Sequence, residues 1–316
     1  MITKTHCGTE EEWRALRMQG IGGSDAGALL GYNQYKSPYA LWCEKTGTIV
    51  SEDISDKEAV RLGNDLEDYV AQRFMEATGK KVRRCNFTLR NDAYPFAHAN
   101  VDREVVGERA GLECKTTSSW EVLQQCRAGE FPNQWYCQVT HYMMVTGWDK
   151  FYLAVICFGH GFYVFEISRN EAEIKALAAA EEDFWALVTN HTPPELDGTE
   201  STLDALKTIY ADSNEARGSI DLTAVGTAIA IYQNCDRQIK ELTQQRDSYK
   251  AQIMQFMGDA PKGFYDKYTV SFKSQVRKVF DRAAFERENG IIPDKYYTES
   301  ASRPFKVTER KEKKLS

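Results

Sequence analysis

Three charged residues near the middle of the chain are of the types that hydrolytic metal sites use. Asp102 ends one short apolar run, and Glu113 and Lys115 end the next, with Cys114 between them. Side chains alternate along a strand, so Glu113 and Lys115 should face one side and Cys114 the other. Two carboxylates and an amine on one face suit a divalent metal and a water nucleophile. On spacing alone, a solvated hairpin that carries charged residues remains the alternative.

The segment between the two acids predicts how they meet. Residues 103–104 are charged, and residues 107–111 contain two glycines and further charges, which is typical of a turn. We therefore predict an antiparallel hairpin with strands at 96–102 and 111–116. Such a hairpin would bring Asp102 and Glu113 side by side.

A sheet with helices around it must position this hairpin. Apolar periodicity predicts further strands at residues 82–89, 151–158 and 161–167, and helices at 9–19, 37–47, 56–78, 132–145 and 169–190. Glu67 lies on the helix at 56–78. Gln138 and His141 are three positions apart on the helix at 132–145 and therefore share a face. Taken singly, these three are also what a solvated helix surface would show.

A glycine-rich segment follows the first predicted helix. It reads Gly20-Ile21-Gly22-Gly23-Ser24-Asp25, and Arg17 precedes it on the helix. Such a turn, with Ser24 at the start of a helix, presents free backbone N–H groups to an anion. A plain turn with a Ser or Asp N-cap explains the same residues. The segment is not a P-loop, because no Gly-Lys-Ser/Thr sequence follows it.

The chain changes character after its first 195 residues, which we take as the core. Residues 196–223 are rich in Asp, Glu, Thr and Ser and predict a connector with one short helix. From Tyr232 to Phe256, apolar residues recur at 3-4 spacing, interrupted by Arg246. This seam predicts either an arm for oligomer or partner contacts or a helix packed on its own domain. A small α+β appendix, with strands at 268–272 and 304–307, a helix at 280–288 and a basic tail, completes the segment 224–316.

The composition sets limits on the class of protein. The 316 residues carry a net charge of −6, which disfavours nucleic acid as a partner unless basic groups line one groove. No apolar run approaches the length of a membrane span, and the first residues lack the apolar stretch of a signal peptide. Eight cysteines occur without CxxC pairs, which predicts reduced thiols in a cytoplasm and disfavours a zinc ribbon.

Taken together, these signals resemble the PD-(D/E)XK nuclease core. More narrowly, the chain resembles the YqaJ branch of phage recombination exonucleases, which is related to the lambda-type exonuclease. The resemblance covers roughly residues 10 to 190. It is carried, in the family's order, by Trp13-x3-Arg17-x2-Gly20-Ile21-Gly22-Gly23-Ser24-Asp25, Ser37-Pro38-Tyr39-x2-Trp42, Gly63-x2-Leu66-Glu67, Asn100-Val101-Asp102, Leu112-Glu113-Cys114-Lys115-Thr116 and Gln138-x3-Tyr142-Met143.

The resemblance implies a fold and a set of residue roles. The fold is α/β (α+β), with a mixed bent sheet flanked by helices and a C-terminal helical arm. Asp102, Glu113 and the Cys114 carbonyl would bind metal, and Glu67 would complete the site directly or through water. Lys115 would orient and help deprotonate the attacking water. Gln138 would hold the nucleophile or substrate. Arg17 and Ser24 would bind a 5′-terminal phosphate. His141 would lie behind the ligands or face the substrate.

The resemblance also implies an activity and partners. The activity is Mg²⁺-dependent 5′→3′ exonuclease action on linear double-stranded DNA, with two ions expected and Mn²⁺ as a substitute. It would release mononucleotides and leave 3′ overhangs for phage recombination by single-strand annealing. Implied partners are an annealing protein and further copies of the chain, with a trimeric ring as one form, in the cytoplasm of a bacterial host. The alternatives are a repair-type nuclease of the same fold, with different polarity or an iron–sulfur cluster, and a non-catalytic DNA-end-binding module.

Overall fold

The computed structural model describes residues 1–50, 55–298 and 303–307, and the chain divides into two compact units. Unit 1 spans Met1–Tyr210 and unit 2 spans Ala211–Ser316. The charged residues around Asp102 belong to unit 1.

Unit 1 is built from strands and helices that alternate irregularly along the chain. Its strands are β1 (Ile2–Thr5), β2 (Val82–Arg84), β3 (Thr88–Asn91), β4 (His98–Asn100), β5 (Arg103–Val105), β6 (Ala110–Thr117), β7 (Lys150–Cys157) and β8 (Gly161–Ser168). Its helices are α1 (Glu10–Arg17), α2 (Gly23–Leu29), α3 (Pro38–Lys45), α4 (Glu58–Thr78), α5 (Trp120–Arg127), α6 (Asn133–Thr146), α7 (Glu171–Thr189) and α8 (Glu200–Ile209). The sequence patterns located most of these elements but missed β1, β5 and α5. The one strand predicted at 82–89 is two strands, β2 and β3, in different sheets.

The central sheet has five strands in the order β2-β5-β6-β7-β8. The pair β6–β7 is parallel and the other pairs are antiparallel, so the sheet is mixed, as predicted. A smaller antiparallel sheet has the order β1-β3-β4. The parallel pair requires a long crossover, which α5 and α6 supply.

Helices cover both faces of the central sheet. Val70 and Phe74 of α4 form a buried cluster with Leu112 of β6 on one face. On the other face, Val139 of α6 belongs to a larger buried cluster that includes Leu153 of β7. Because β7 is covered on both faces, it is an almost continuous apolar strand, as expected for the interior of such a sheet.

The predicted hairpin between Asp102 and Glu113 is wrong in its register. The strand that pairs antiparallel with β6 is β5, which places Arg103 opposite Leu112. The strand before Asp102 is β4, which pairs with β3 in the smaller sheet. Residues 103–105, predicted as part of the turn, form a strand because Arg103 and Val105 turn inward and become buried. Asp102 therefore lies at the junction between the two sheets.

The ends of the first two helices follow local hydrogen bonds. Thr9 caps α1 as predicted, because its hydroxyl accepts from the backbone N–H of Glu12 at 3.2 Å. The N-cap of α2 is Gly22, so Ser24 is its second residue and not its start. The carboxylate of Asp25 accepts from the Gly22 N–H at 3.0 Å and thereby fixes this earlier start.

Unit 1 extends beyond residue 195, where we expected the core to end. Helix α8, which lies in the predicted connector, packs against α3. The hydroxyl of Thr202 donates to Ser37 Oγ at 2.7 Å, and both residues are buried. This contact joins the short helix of the connector to the core, so the boundary lies at Tyr210.

Unit 2 contains one long helix and a small hairpin. Its elements are α9 (Gly226–Met257), β9 (Lys262–Tyr265), β10 (Tyr268–Ser271) and α10 (Arg282–Asn289), with β9 and β10 paired antiparallel. Residues 304–307 form no strand, contrary to the prediction. Phe305 lies instead against α9, with its ring 5.5 Å from that of Tyr232. The end of the basic tail, residues 308–316, lies outside the described residues.

The heptad seam of α9 is exposed along most of its length. Ile239, Leu242 and Tyr249 are each more than 60% exposed. Within unit 2, α9 packs at its C-terminal end, where Ile253 lines a groove with Val270 of β10, and near its start, where Phe305 lies against Tyr232. Within unit 2, most of the apolar seam of α9 is therefore left uncovered.

Helices long and apolar enough to cross a bilayer are absent from the part of the chain that the structure describes.

Gly111 tests the tight packing that holds β6 in place. A Cβ atom at this position would overlap the Phe151 ring and lie 2.9 Å from Cζ3 of Trp148. We expect Gly111→Ala to lower the free energy of unfolding by about 1–3 kcal/mol, because a full core must shift to admit the methyl group.

Gly63→Ala is the matched control, measured by the same urea titration. Its Cβ would meet only Oγ1 of Thr116, at 3.9 Å, and Gly63 lies inside α4. The change should raise the free energy of unfolding by about 0.5–1 kcal/mol, because alanine favours a helix interior. Equal effects of both changes would contradict this account of β6.

Candidate active site

Strand β6 presents two charged side chains to helix α6. Glu113 and Lys115 point to the same side, as their alternation predicts, and Lys115 Nζ lies 2.8 Å from Glu113 Oε1. Glu113 is only 3% exposed. A buried carboxylate is costly unless it is paired, and the ammonium group supplies the pair.

Gln138, near the middle of α6, connects the two charged groups. Its Nε2 donates to Glu113 Oε1 at 2.7 Å, and its Oε1 accepts from Lys115 Nζ at 2.9 Å. The same Nε2 lies 3.0 Å from the hydroxyl oxygen of Tyr142, one turn further along α6. The amide therefore holds the acid and the lysine in a fixed relative position.

Asp102 approaches this site from the edge of β6 that pairs with β5, opposite the edge that pairs with β7. Its Oδ2 accepts from the backbone N–H of Cys114 at 2.8 Å. This edge is open at Cys114 because the pairing with β5 covers only Gly111 and Leu112. The N–H and C=O of a strand residue point to the same edge, so the Cys114 carbonyl faces the Asp102 side as well.

Glu67 is held near Asp102 by Arg103, a residue that the sequence analysis did not single out. Arg103 pairs with Glu67, donates to the Asp102 carbonyl oxygen at 2.7 Å, and donates to Asp68 Oδ1 at 2.7 Å. Arg103 is only 4% exposed, which is rare for an arginine without acidic partners. Its position directly after Asp102 could have marked Arg103 as part of the site, but its charge led us to assign it to a turn. Arg103 thus orients Glu67 beside Asp102.

The close approach of the carboxylates shifts the pKa values of Asp102 and Lys115. Burial, together with the charges of Glu113 and Glu67, raises the pKa of Asp102 well above its ordinary value. Burial acts to lower the pKa of Lys115, but Glu113 and Asp102 outweigh it and raise the pKa above its ordinary value. Lys115 is therefore an ammonium group at neutral pH.

The donor set fits a hard divalent cation. Glu113 Oε2 is buried and has no hydrogen-bond partner in the structure. Asp102 and the Cys114 carbonyl supply further oxygens of the type that Mg²⁺ prefers. Over the described ranges, no three His, Cys, Asp or Glu side chains already converge as a metal cluster. The acid on α4, Glu67, is held by Arg103, and the ammonium of Lys115 occupies one oxygen of Glu113.

Arg17 and Ser24 lie together at the start of α2. Arg17 Nη2 donates to Ser24 Oγ at 3.1 Å, and its guanidinium lies 4.7 Å from the ring centre of Trp13. The buried Asp25 lies 3.9 Å from Arg17 but pairs more closely with Lys45, at 2.7 Å. Burial opposes ionisation of Asp25, but the charges of Lys45 and Arg17 hold its pKa well below the usual range. Lys45, which sequence reasoning missed, thus leaves much of the Arg17 charge available.

The glycine-rich segment is held between the chain that precedes β4 and the helix α6. The N–H of Ile21 donates to the Phe96 carbonyl at 2.8 Å, next to β4. A Cβ atom at Gly23 would overlap the ring of Tyr142. Tyr142 therefore touches the Gly23 backbone and Gln138, and it connects the Arg17 region with the acids.

His141 does not reach the substrate side of the site. It is fully buried, with Nδ1 2.7 Å from Glu181 Oε1 and Nε2 2.9 Å from the carbonyl oxygen of His98. Because the carbonyl can only accept, Nε2 carries a proton. His141 contacts neither Glu113 nor Gln138 by hydrogen bonds, so it supports α6 from behind.

Comparisons with known proteins give a family and a fold. Residues 12–149 match the YqaJ-like viral recombinase domain. Over 306 residues, 95% of each chain, the sequence is 39% identical to the uncharacterized protein YqaJ of Bacillus subtilis (strain 168). The structure is similar to the alkaline exonuclease LHK-Exo of Laribacter hongkongensis, with a TM-score of 0.50 and 18% identity over 58% of this chain and 94% of that one.

A second structure of the same enzyme, in complex with dAMP, gives the same TM-score of 0.50 at 18% identity. The match covers 64% of this chain and 98% of that chain. The predicted PD-(D/E)XK core is thereby confirmed as the fold.

The raised pKa of Asp102 gives a pH-dependent prediction. A carboxyl whose pKa is raised by folding stabilises the protein below its ordinary pKa, and this contribution is lost as pH rises through the folded value. In EDTA, Asp102→Asn should therefore gain stability relative to the wild type as pH rises above 3.8, the ordinary value. Urea unfolding across a pH series measures this difference.

Asp68→Asn is the control with the opposite sign. A hydrogen bond from Arg84 lowers the pKa of this exposed carboxyl, so its contribution is present at neutral pH and is lost as pH falls. A stability difference for Asp102→Asn that stays constant from acid to neutral pH would contradict the crowding of carboxylates.

Proposed function

The chain belongs to the YqaJ-like viral recombinase family, and from this premise we propose that it is a Mg²⁺-dependent 5′→3′ exonuclease of linear double-stranded DNA. It releases mononucleotides from one strand and leaves a 3′ overhang for recombination by single-strand annealing. The carrying observation is the joined set of Asp102, Glu113, Lys115 and Gln138.

This set supports phosphodiester hydrolysis. Asp102, Glu113 and the Cys114 carbonyl would hold Mg²⁺, with Glu67 completing the site directly or through water. Two ions are expected, and Mn²⁺ can replace them. Bound metal supplies charge stabilisation for the attacking and leaving oxygens of an in-line displacement.

Lys115 acts on the attacking water as a donor. Its raised pKa keeps it protonated at neutral pH, so it orients the attacking water and stabilises negative charge rather than accepting the water's proton, which would pass to solvent. Gln138 fixes Lys115 relative to Glu113 through its two hydrogen bonds. A misplaced lysine would lose the alignment that in-line attack needs.

Arg17 and Ser24 bind the 5′-terminal phosphate. A terminal phosphate carries more charge than an internal one, which favours a forked guanidinium donor. The hydrogen bond from Arg17 to Ser24 brings both donors to one place. Selection of a terminal phosphate makes the enzyme dependent on DNA ends and gives the 5′→3′ direction.

The surroundings of the enzyme follow from family membership and from two features of the chain. The exposed heptad seam of α9 supports contacts with further copies, such as a trimeric ring, or with a single-strand annealing protein. All eight cysteines are free thiols, which supports a reducing bacterial cytoplasm. A phage or prophage origin fits the same family.

Lys115→Ala tests the catalytic role. On end-labelled linear duplex, the wild type should degrade the strand from its 5′ end with Mg²⁺ and not with EDTA. The variant should be roughly 10²- to 10⁴-fold slower, as for loss of a positioned proton donor. Lys150→Ala, which removes another lysine of the same sheet that pairs with Glu166 at 2.8 Å, should retain wild-type activity.

The same assay separates the alternatives. Release of label from the 3′ end would favour a repair-type nuclease of different polarity. End binding without any degradation would favour a non-catalytic module. Full activity of Lys115→Ala would overturn the assignment of the site.

Arg17→Ala tests the phosphate pocket separately. We expect it to abolish the preference for 5′-phosphorylated over 5′-hydroxyl ends, measured as a ratio of initial rates, because the forked donor is gone. Arg14→Ala is the control on the same helix, since Arg14 pairs with Glu10 at 2.7 Å. A uniform slowing on both kinds of end, with the ratio unchanged, would contradict the pocket.

A further inference from the structure

An exposed tryptophan stands just beyond the proposed catalytic strand. Trp120 begins α5, five residues after Lys115, and its side chain is 62% exposed. It belongs to none of the buried clusters, although α5 itself is anchored by the buried Leu123 and Cys126. The ring is therefore accessible to a ligand on an element that is itself fixed in the core.

Two side chains hold the Trp120 ring at the surface. The ring of His160, in the turn between β7 and β8, meets it edge-on, with centroids 5.8 Å apart. The guanidinium of Arg127, two turns along α5, lies 5.7 Å from the ring centre. Arg127 is exposed. Its charge is therefore available to an anion.

A groove continues from the same turn. It measures about 250 Å³ and is lined by Tyr69, Arg73, Ile156, Cys157, Gly159, His160, Gly161 and Phe162. Here too, a cation lies against aromatic rings, because the Arg73 guanidinium is 5.3 Å from the centre of Phe162 and 6.0 Å from that of Tyr69. His160 lines the groove and also contacts the Trp120 ring, so the groove and Trp120 form one surface.

This surface is tied to the strand that carries Lys115. Cys157 pairs in register with Thr117, and the Phe158 N–H donates to the Thr117 carbonyl at 3.0 Å. Thr117 lies two residues beyond Lys115 on β6, which is about 7 Å at the rise of a strand. The surface therefore adjoins the end of the strand that carries Lys115.

We propose that Trp120, His160 and the adjoining groove form a stacking platform for an unpaired DNA strand. Rings interleaved with guanidinium groups are what sequence-independent single-strand sites use, because bases stack on the rings while cations meet the phosphates. In a duplex the base faces are already stacked, so the platform favours an unpaired segment. The inference rests on the proposed function in assigning that strand to the separated end of the substrate.

The chain's net charge of −6 makes overall electrostatic attraction to DNA unfavourable. Stacking and locally clustered cations would supply binding that the net charge does not. Rings and arginines also occur at protein interfaces, so the oligonucleotide titration below distinguishes DNA from a protein partner. The exposed groups here are rings, arginines and a histidine.

The test measures binding in EDTA, so that no hydrolysis is needed. The full-length protein is titrated into a fluorescently labelled single-stranded oligonucleotide of about 12 nucleotides, and anisotropy gives Kd. Trp120→Ala should weaken binding roughly five- to hundredfold, the effect of losing one stacked base. Trp120→Phe, which keeps a ring, should restore most of the affinity.

Two controls separate stacking from general loss of binding. An abasic oligonucleotide of the same length keeps the phosphates and lacks the bases, so Trp120→Ala should not change its Kd. Phe87→Ala removes another exposed ring that has a lysine and a histidine beside it, on the β1-β3-β4 side of the unit, and should leave binding unchanged.

The outcomes are distinct from those of the nuclease assay. Binding that requires Trp120, in a protein that degrades no DNA, would support the platform and overturn the proposed activity. Wild-type protein that does not bind the oligonucleotide, equal losses for Trp120→Ala and Phe87→Ala, or an equal loss on the abasic strand would overturn the platform.

Discussion

The main constraint on unit 1 is the unfavourable free energy of burying two carboxylates next to each other beside one strand. Asp102 and Glu113 meet at the open edge of β6, where burial and mutual repulsion raise the pKa of Asp102. A protein spends stability in this way only where the charge has a use. Lys115 and Gln138 offset part of the cost, and a bound cation would offset the remainder.

Helix α6 is the element that makes this arrangement rigid. Gln138 holds the acid and the lysine, and Tyr142 packs between that amide and the backbone of Gly23. From behind, the buried pair of His141 and Glu181 fixes the helix against α7. These contacts follow one another along α6, so one helix supports both the acids and the Arg17 region.

The sequence predicted the parts that depend on local periodicity and failed where a contact reversed a local preference. Alternation along β6 was enough to place Glu113 and Lys115 on one face, as the structure has them. The hairpin register was wrong because Arg103, charged and next to a turn, is buried by two acids from α4. The burial of His141 could not be predicted either, since its hydrogen-bond partner, Glu181, lies 40 positions away. Long-range pairing of charged groups is invisible to a periodic pattern.

The central claim is that Asp102 and Glu113 face one another to hold a divalent cation. Crystals grown with Mn²⁺ and measured at its absorption edge test this directly, because the anomalous signal locates the ion without any assumption about activity. The account predicts an anomalous peak about 2.0–2.3 Å from carboxylate oxygens of both Asp102 and Glu113. A peak elsewhere, or none at saturating Mn²⁺, would contradict it.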